Sequence, residues 1–90
     1  MQHTRQFIVS GRVQGVGFRA ATQDKARELA LAGWVRNLSD GRVEAVAGGD
    51  RDAVAALNRW LEQGSPAARV DSVDEQPTDA DNLPQPFTVR

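Results

Sequence analysis

The chain contains no cysteine, which excludes a disulfide framework, a thiolate metal site, an iron–sulfur cluster and a cysteine nucleophile. A single histidine, His3, lies at the amino-terminal edge, so neither a Ser-His pair nor a histidine-rich metal site can be built. Long apolar runs are missing too. Met1-Gln2-His3-Thr4-Arg5-Gln6 leads into only Phe7-Ile8-Val9 before Ser10, whereas a secretory core needs about 7–15 apolar residues and a membrane helix about 20. The expected location is cytoplasmic, with no membrane contact. A formal charge of −1 argues against a general polyanion binder. The few aromatics, Phe7, Phe18, Trp34, Trp60 and Phe87, sit at positions that read as core or motif, leaving no platform for stacked bases, so nucleic acid is not an expected partner. Polar chemistry must therefore run on Arg, Asn, Asp, Glu, Ser, Thr and backbone amides.

What is present makes one small domain over residues 1–90, short enough to bury only roughly 60–65% of its unfolded surface. Phe7, Val9, Gly11 and Val13 alternate with Ile8, Ser10 and Arg12, a strand rhythm. Residues 19–31 lack Gly and Pro and place Thr22, Ala26, Leu29 and Ala30 on one helical stripe, with Gly33 as the stop. Residues 34–38 read as a second strand, Asp40-Gly41 as a hairpin turn, and residues 42–47 as a third strand. Val54, Leu57 and Leu61 mark a second helix, with Asp50 as N-cap and Gly64 just past its end. Residues 68–73 read as a fourth strand, the Pro-rich stretch 76–86 as a loop, and residues 87–90 as a short terminal strand. This order is the βαββαβ plan of an α+β, ferredoxin-like sandwich: an antiparallel sheet with two helices on one face, plus a short C-terminal extra strand.

Charge is uneven. Residues 1–42 carry seven basic against three acidic side chains, and residues 43–90 carry four against nine. Most of these read as solvated, interleaved charges. Arg12 and Arg19 differ because they flank glycines. The loop Gly11-Arg12-Val13-Gln14-Gly15-Val16-Gly17-Phe18-Arg19 is neither a dinucleotide fingerprint nor a P-loop, but it has the parts of an anion site. Gly15 and Gly17 can turn successive N–H groups toward one point. The following helix offers its unpaired first amides, and Arg19 adds a planar fork of donors. A tight turn with Arg19 in water explains the same residues more plainly. Phe18 reads as a core anchor, and Gln14 either contacts a ligand or braces the turn.

Asn37 is an uncommon residue for a strand, near the end of the second. Its carboxamide can accept a proton from water and donate to a phosphate oxygen, or it can brace the turn.

Taken together, the loop 11–19, the segment Gly33-Trp34-Val35-Arg36-Asn37, the turn Asp40-Gly41-Arg42-Val43-Glu44, and more weakly residues 64–70 and 87–90, resemble the acylphosphatase family over nearly the whole chain. The resemblance implies a ferredoxin-like fold and hydrolysis of acyl phosphates to carboxylate and inorganic phosphate without metal or cofactor. It implies that Arg19 binds the phosphoryl group with the backbone amides of Gln14, Gly15, Val16, Gly17 and Phe18, and that Asn37 orients the attacking water. The expected partners are a small acyl phosphate, with inorganic phosphate as product and inhibitor, acting on a monomer. A noncatalytic receptor for phosphate or carbamoyl phosphate is the alternative. The chain departs from the family in having Ala20-Ala21 where bulk is common, Ser39 before Asp40-Gly41, and Ser65 in the turn after Gly64.

Overall fold

The computed structural model describes residues 3–90; the reading of Met1 and Gln2 lies outside them. The first strand, β1 (His3–Arg12), starts earlier than its apolar rhythm suggests. It takes both neighbours of a central position, so polar residues 3–6 are paired as well as apolar ones. It is followed by α1 (Phe18–Glu28), β2 (Ala32–Asn37), β3 (Val43–Gly49), α2 (Arg51–Gln63), β4 (Arg69–Pro77) and β5 (Thr88–Val89). The sheet order is β4-β1-β3-β2-β5. The first four pair antiparallel, and β5 adds to β2 in parallel. The sheet is thus antiparallel in the βαββαβ unit, as expected, and mixed once the terminal strand is counted.

Alternation builds the core. Phe7 and Val9 are fully buried, and they pack with Val35, Ala45 and Ala47 against Phe18 and Ala26 of α1 and Val54, Leu57 and Leu61 of α2. Both helices therefore cover the same face. On the other face Trp34 stands opposite Val46, with the Arg36 and Arg90 guanidiniums over its ring at 5.3 and 4.5 Å. β3 is buried on both sides: on the outer side Gln6 and Arg36 bond Glu44, Trp34 stands beside Val46, and Leu83, from the segment after β4, reaches Gly48.

The helix ends follow local backbone chemistry. Asp50 precedes α2 in extended conformation without a side-chain cap bond, and Gly64 (φ 76°) closes it, as the sequence suggests. α1 ends earlier than expected. Ala30 adopts φ 59°, with Leu31 N–H donating to Ala26 O at 2.9 Å and Ala30 N–H to Arg27 O at 3.0 Å. This is a Schellman closure with alanine in the left-handed position, so Leu29 and Ala30 form a turn; Leu29 still packs against the core with Ala26, while Ala30 is exposed. Gly33 is not the stop but a residue of β2. At φ 140° a Cβ there would run into the Val46 carbonyl oxygen. β4 extends to Pro77, shortening the Pro-rich loop, because Gln76 and Pro77 pair with Gln6 and Arg5.

Two features aim the chain at one end of the sheet. β1 and β2 both run antiparallel to β3, and Val43 is the cross-strand partner of both Val9 and Asn37. The ends of β1 and β2 thus lie at the same end of the sheet, on either side of β3. The β1–β4 register shifts between Ser10 and Gly11, where Asp71 of β4 is the extra, unpaired residue just before β1 gives way to the glycine loop.

Candidate functional site

The loop 13–17 is pinned at both ends. Val13 is 1% exposed and Phe18 fully buried, with the Phe18 ring 5.9 Å from that of Trp60. Phe18 is the anchor that the sequence suggests. Between them, Gly15 and Gly17 adopt φ 74° and 76°, and nothing stands within 4 Å of where their Cβ atoms would be. Glycine is required there by backbone conformation alone, and its lack of a side chain leaves the peptide groups open to a ligand. Gly17 is the N-cap of α1, with no side-chain cap bond and no acidic residue in the first turn. Several N–H groups at that end are therefore without intrahelical acceptors, beside the positive end of the helix dipole. Arg19 in this first turn opposes the dipole at a cost of about 0.3–1 kcal/mol. An anion held between guanidinium and amides would remove that cost.

A shallow cavity of about 190 Å³ opens here, lined by Val13, Gly15, Gly17, Phe18, Arg19, Ala20 and Val89. Arg19 is half-buried and its Nη1 donates to the Arg90 main-chain oxygen at 3.1 Å. One arm of the fork is thereby held by the terminal segment. Val13, Ala20 and Val89 are lining residues that the sequence reading gave no role. Phe87-Thr88-Val89-Arg90 was visible as a motif, but nothing in it signals contact with Arg19.

Gln14 resolves in favour of bracing. Its Nε2 donates to Leu38 O at 2.8 Å and to Arg42 O at 2.9 Å, tying the glycine loop to the turn between β2 and β3. That turn is longer than a two-residue hairpin. Leu38 N–H donates to Arg42 O at 2.8 Å, Gly41 N–H to Leu38 O at 3.2 Å, and Gly41 takes φ 95°. The Asp40 carboxylate accepts from the Arg42 amide at 3.1 Å and from its Nε at 2.7 Å. These donors, the amide first, hold its pKa below the ordinary value of 3.8.

Asn37 is the last residue of β2, one step before the Leu38 carbonyl that Gln14 grips. Its Oδ1 is buried and has no hydrogen-bond partner among the described residues, a state that costs about 1–3 kcal/mol unless a donor reaches it. Asn37, Gln14 and Val16 do not line the cavity; Gln14 is the link that joins the cradle to the strand end. Ser65 Oγ is likewise buried without a partner, in the turn after α2. Among the described residues no three or more His, Asp or Glu side chains cluster to hold a metal ion, and no helix is long and apolar enough to cross a membrane.

A glycine turn opening onto an arginine-bearing helix, set in this sheet order, makes the chain a ferredoxin-like α+β sandwich with a donor-rich loop-to-helix junction. The acylphosphatase family model matches residues 5–89. An acylphosphatase of Halorhodospira halophila is 52% identical over 98% of this chain and 95% of its own, and one of Natronomonas pharaonis is 64% identical over 73% and 72%. Among solved structures, an acylphosphatase from Coxiella burnetii superposes with TM-score 0.93 at 44% identity, covering 99% of this chain and 93% of its own. That of Bacillus subtilis gives TM-score 0.92 at 37% identity over 100% and 99%. The chain belongs to the acylphosphatase family.

Proposed function

We propose that the chain, working as one domain over residues 1–90, hydrolyses acyl phosphates by capturing the phosphoryl group in the glycine cradle. The observation that carries the proposal is the open, left-handed backbone at Gly15 and Gly17 beside Arg19, tied through Gln14 to the strand end bearing Asn37. In this reading Arg19 and the amides of Gln14, Gly15, Val16, Gly17 and Phe18 share the charge of the phosphoryl oxygens. Phosphoryl transfer asks mostly for positioning and electrostatic stabilisation, which such donors supply. The unpartnered Asn37 Oδ1 accepts one proton of a water and so aims its oxygen lone pair at phosphorus. The P–O bond to the acyl group breaks and the electron pair leaves on the carboxylate, a stable anion that needs no general acid. A phosphoryl oxygen takes the water's remaining proton, which accounts for a site with neither histidine nor carboxylate base.

Inorganic phosphate fits the same cradle and acts as product inhibitor. On this reading the reaction is indifferent to chelators. Phe7, Phe18 and Phe87 are buried, and Trp34 carries two guanidiniums, which supports a small-molecule partner over nucleic acid. On the same reading the chain works in the cytoplasm, whose reducing conditions a cysteine-free chain suits, and as a monomer.

Phosphate release from benzoyl phosphate, with phenyl phosphate as the ester control and EDTA present, tests this. Turnover of the anhydride alone is expected. Arg19→Ala should lower kcat/KM by about 10²–10³-fold with an unchanged circular dichroism spectrum. Phosphate binding with no turnover would make the chain a receptor for phosphate or carbamoyl phosphate instead.

A further inference from the structure

α1 carries a row of polar side chains at i, i+4 and i+8 that face the terminal segment. Arg19 Nη1 donates to Arg90 O at 3.1 Å, Gln23 Oε1 accepts from Val89 N–H at 3.1 Å, and Arg27 Nε donates to Phe87 O at 2.8 Å. From the other side, Arg90 N–H donates to Val35 O at 2.8 Å and the Arg90 guanidinium lies on Trp34. β5 has only two residues and stands at the edge of the sheet, too short to hold its own register. Yet this strand and the residue after it supply two parts of the site: Val89 lines the cavity, and the Arg90 oxygen holds Arg19.

We propose that Gln23 and Arg27 are positioning residues for the phosphoryl site: they hold β5 in register, so that Arg90 O fixes the Arg19 side chain and Val89 closes the cavity wall. The proposal rests on Arg19 binding the phosphoryl group. An arginine free to sample many rotamers must be ordered when the anion arrives. One already held through Nη1 is ordered beforehand, with its remaining donors left for the anion. The benefit is shared by bound substrate and transition state, so it is read in KM and in phosphate inhibition rather than in kcat.

The test measures KM and kcat for benzoyl phosphate and the Ki of inorganic phosphate in Gln23→Met and Arg27→Met, each alone and in an Arg19→Lys background. Thermal melts report folding. Loss of the Val89 bond should raise KM and Ki about fivefold, the worth of one net hydrogen bond, with kcat within about twofold. Arg27→Met should act in the same direction but less, because Phe87 lies farther from Arg90. In the Arg19→Lys background neither change should move Ki further, since the side chain they position is gone. Unchanged Ki in both single variants would overturn the proposal, as would an equal rise in both backgrounds, which marks a merely structural role. Arg19→Lys with normal turnover and normal phosphate inhibition would instead overturn the site reading itself and take this proposal with it.

Discussion

Replacing Gln14 by leucine removes the side chain that, among the described residues, hydrogen-bonds the glycine loop to the turn beside Asn37. The two bonds broken run to Leu38 O at 2.8 Å and Arg42 O at 2.9 Å. Each neutral bond contributes about 0.5–1.5 kcal/mol net. Neither carbonyl is fully orphaned, because Leu38 O keeps the Gly41 amide and Arg42 O keeps the Leu38 amide. The loss is therefore about 1–3 kcal/mol, which for a domain of this size lowers Tm by roughly 4–24 °C. The functional effect should exceed the stability effect. Asn37 follows the turn while Arg19 follows the loop and α1, so loosening their link lets the aimed water drift from the phosphoryl group. A misplacement of about 1 Å costs up to 10²-fold. Stopped-flow or continuous release of benzoate should show kcat down by about 10–100-fold in Gln14→Leu, with KM changed much less. A variant with the lowered Tm but wild-type kcat would refute the coupling. An unchanged Tm would refute the bonds.

Gly33→Ala should be severely destabilising, by more than about 3 kcal/mol in a urea titration. The added Cβ meets the Val46 carbonyl oxygen at a φ that alanine rarely adopts, and a loss below about 1 kcal/mol would contradict that close approach. Ala30→Gly should do the opposite, raising stability by about 0.5–1 kcal/mol, because it relieves the left-handed alanine at the end of α1 by more than the added chain entropy costs. Asp40 has a folded-state pKa below its ordinary 3.8, owing first to the Arg42 amide and then to the Arg42 side chain. Its contribution to the turn is present above about pH 4 and is lost as pH falls through the lower folded value. Urea midpoints measured from about pH 6 down to about pH 2 should thus fall less steeply in Asp40→Asn than in the parent chain.

Much of this architecture is legible in the residues because local signals agree with the packing. The alternation of Phe7 and Val9, the α2 stripe of Val54, Leu57 and Leu61, and the caps Asp50 and Gly64 each point to the element they form. The glycine loop is legible for the same reason, since Gly15 and Gly17 occupy conformations that other residues avoid. The misread positions are those where tertiary contacts override local preference. Ala30 ends α1 in a conformation that alanine does not advertise, while Gly33, which looks like a helix stop, is dictated by a strand passing too close for any side chain. β4 runs on to Pro77 because β1 is there to pair with it, which no rhythm in residues 74–77 foretells. At the candidate site, Arg19 and Asn37 stand out by residue type and place, and Gln14 ties the glycine loop to the turn that follows Asn37. The contacts of Gln23, Arg27 and Arg90 with one another's segments are carried by polar residues on an exposed helix and a two-residue strand, and such residues look like ordinary solvated surface until the chain is folded.

The central claim is that water, aimed by Asn37, attacks phosphorus while Arg19 and the loop amides hold the phosphoryl oxygens. Benzoyl phosphate hydrolysed by this protein in water enriched in heavy oxygen should yield labelled inorganic phosphate and unlabelled benzoate, by mass spectrometry of both products from a single turnover. Label in the benzoate would mean attack at the acyl carbon and would contradict the account.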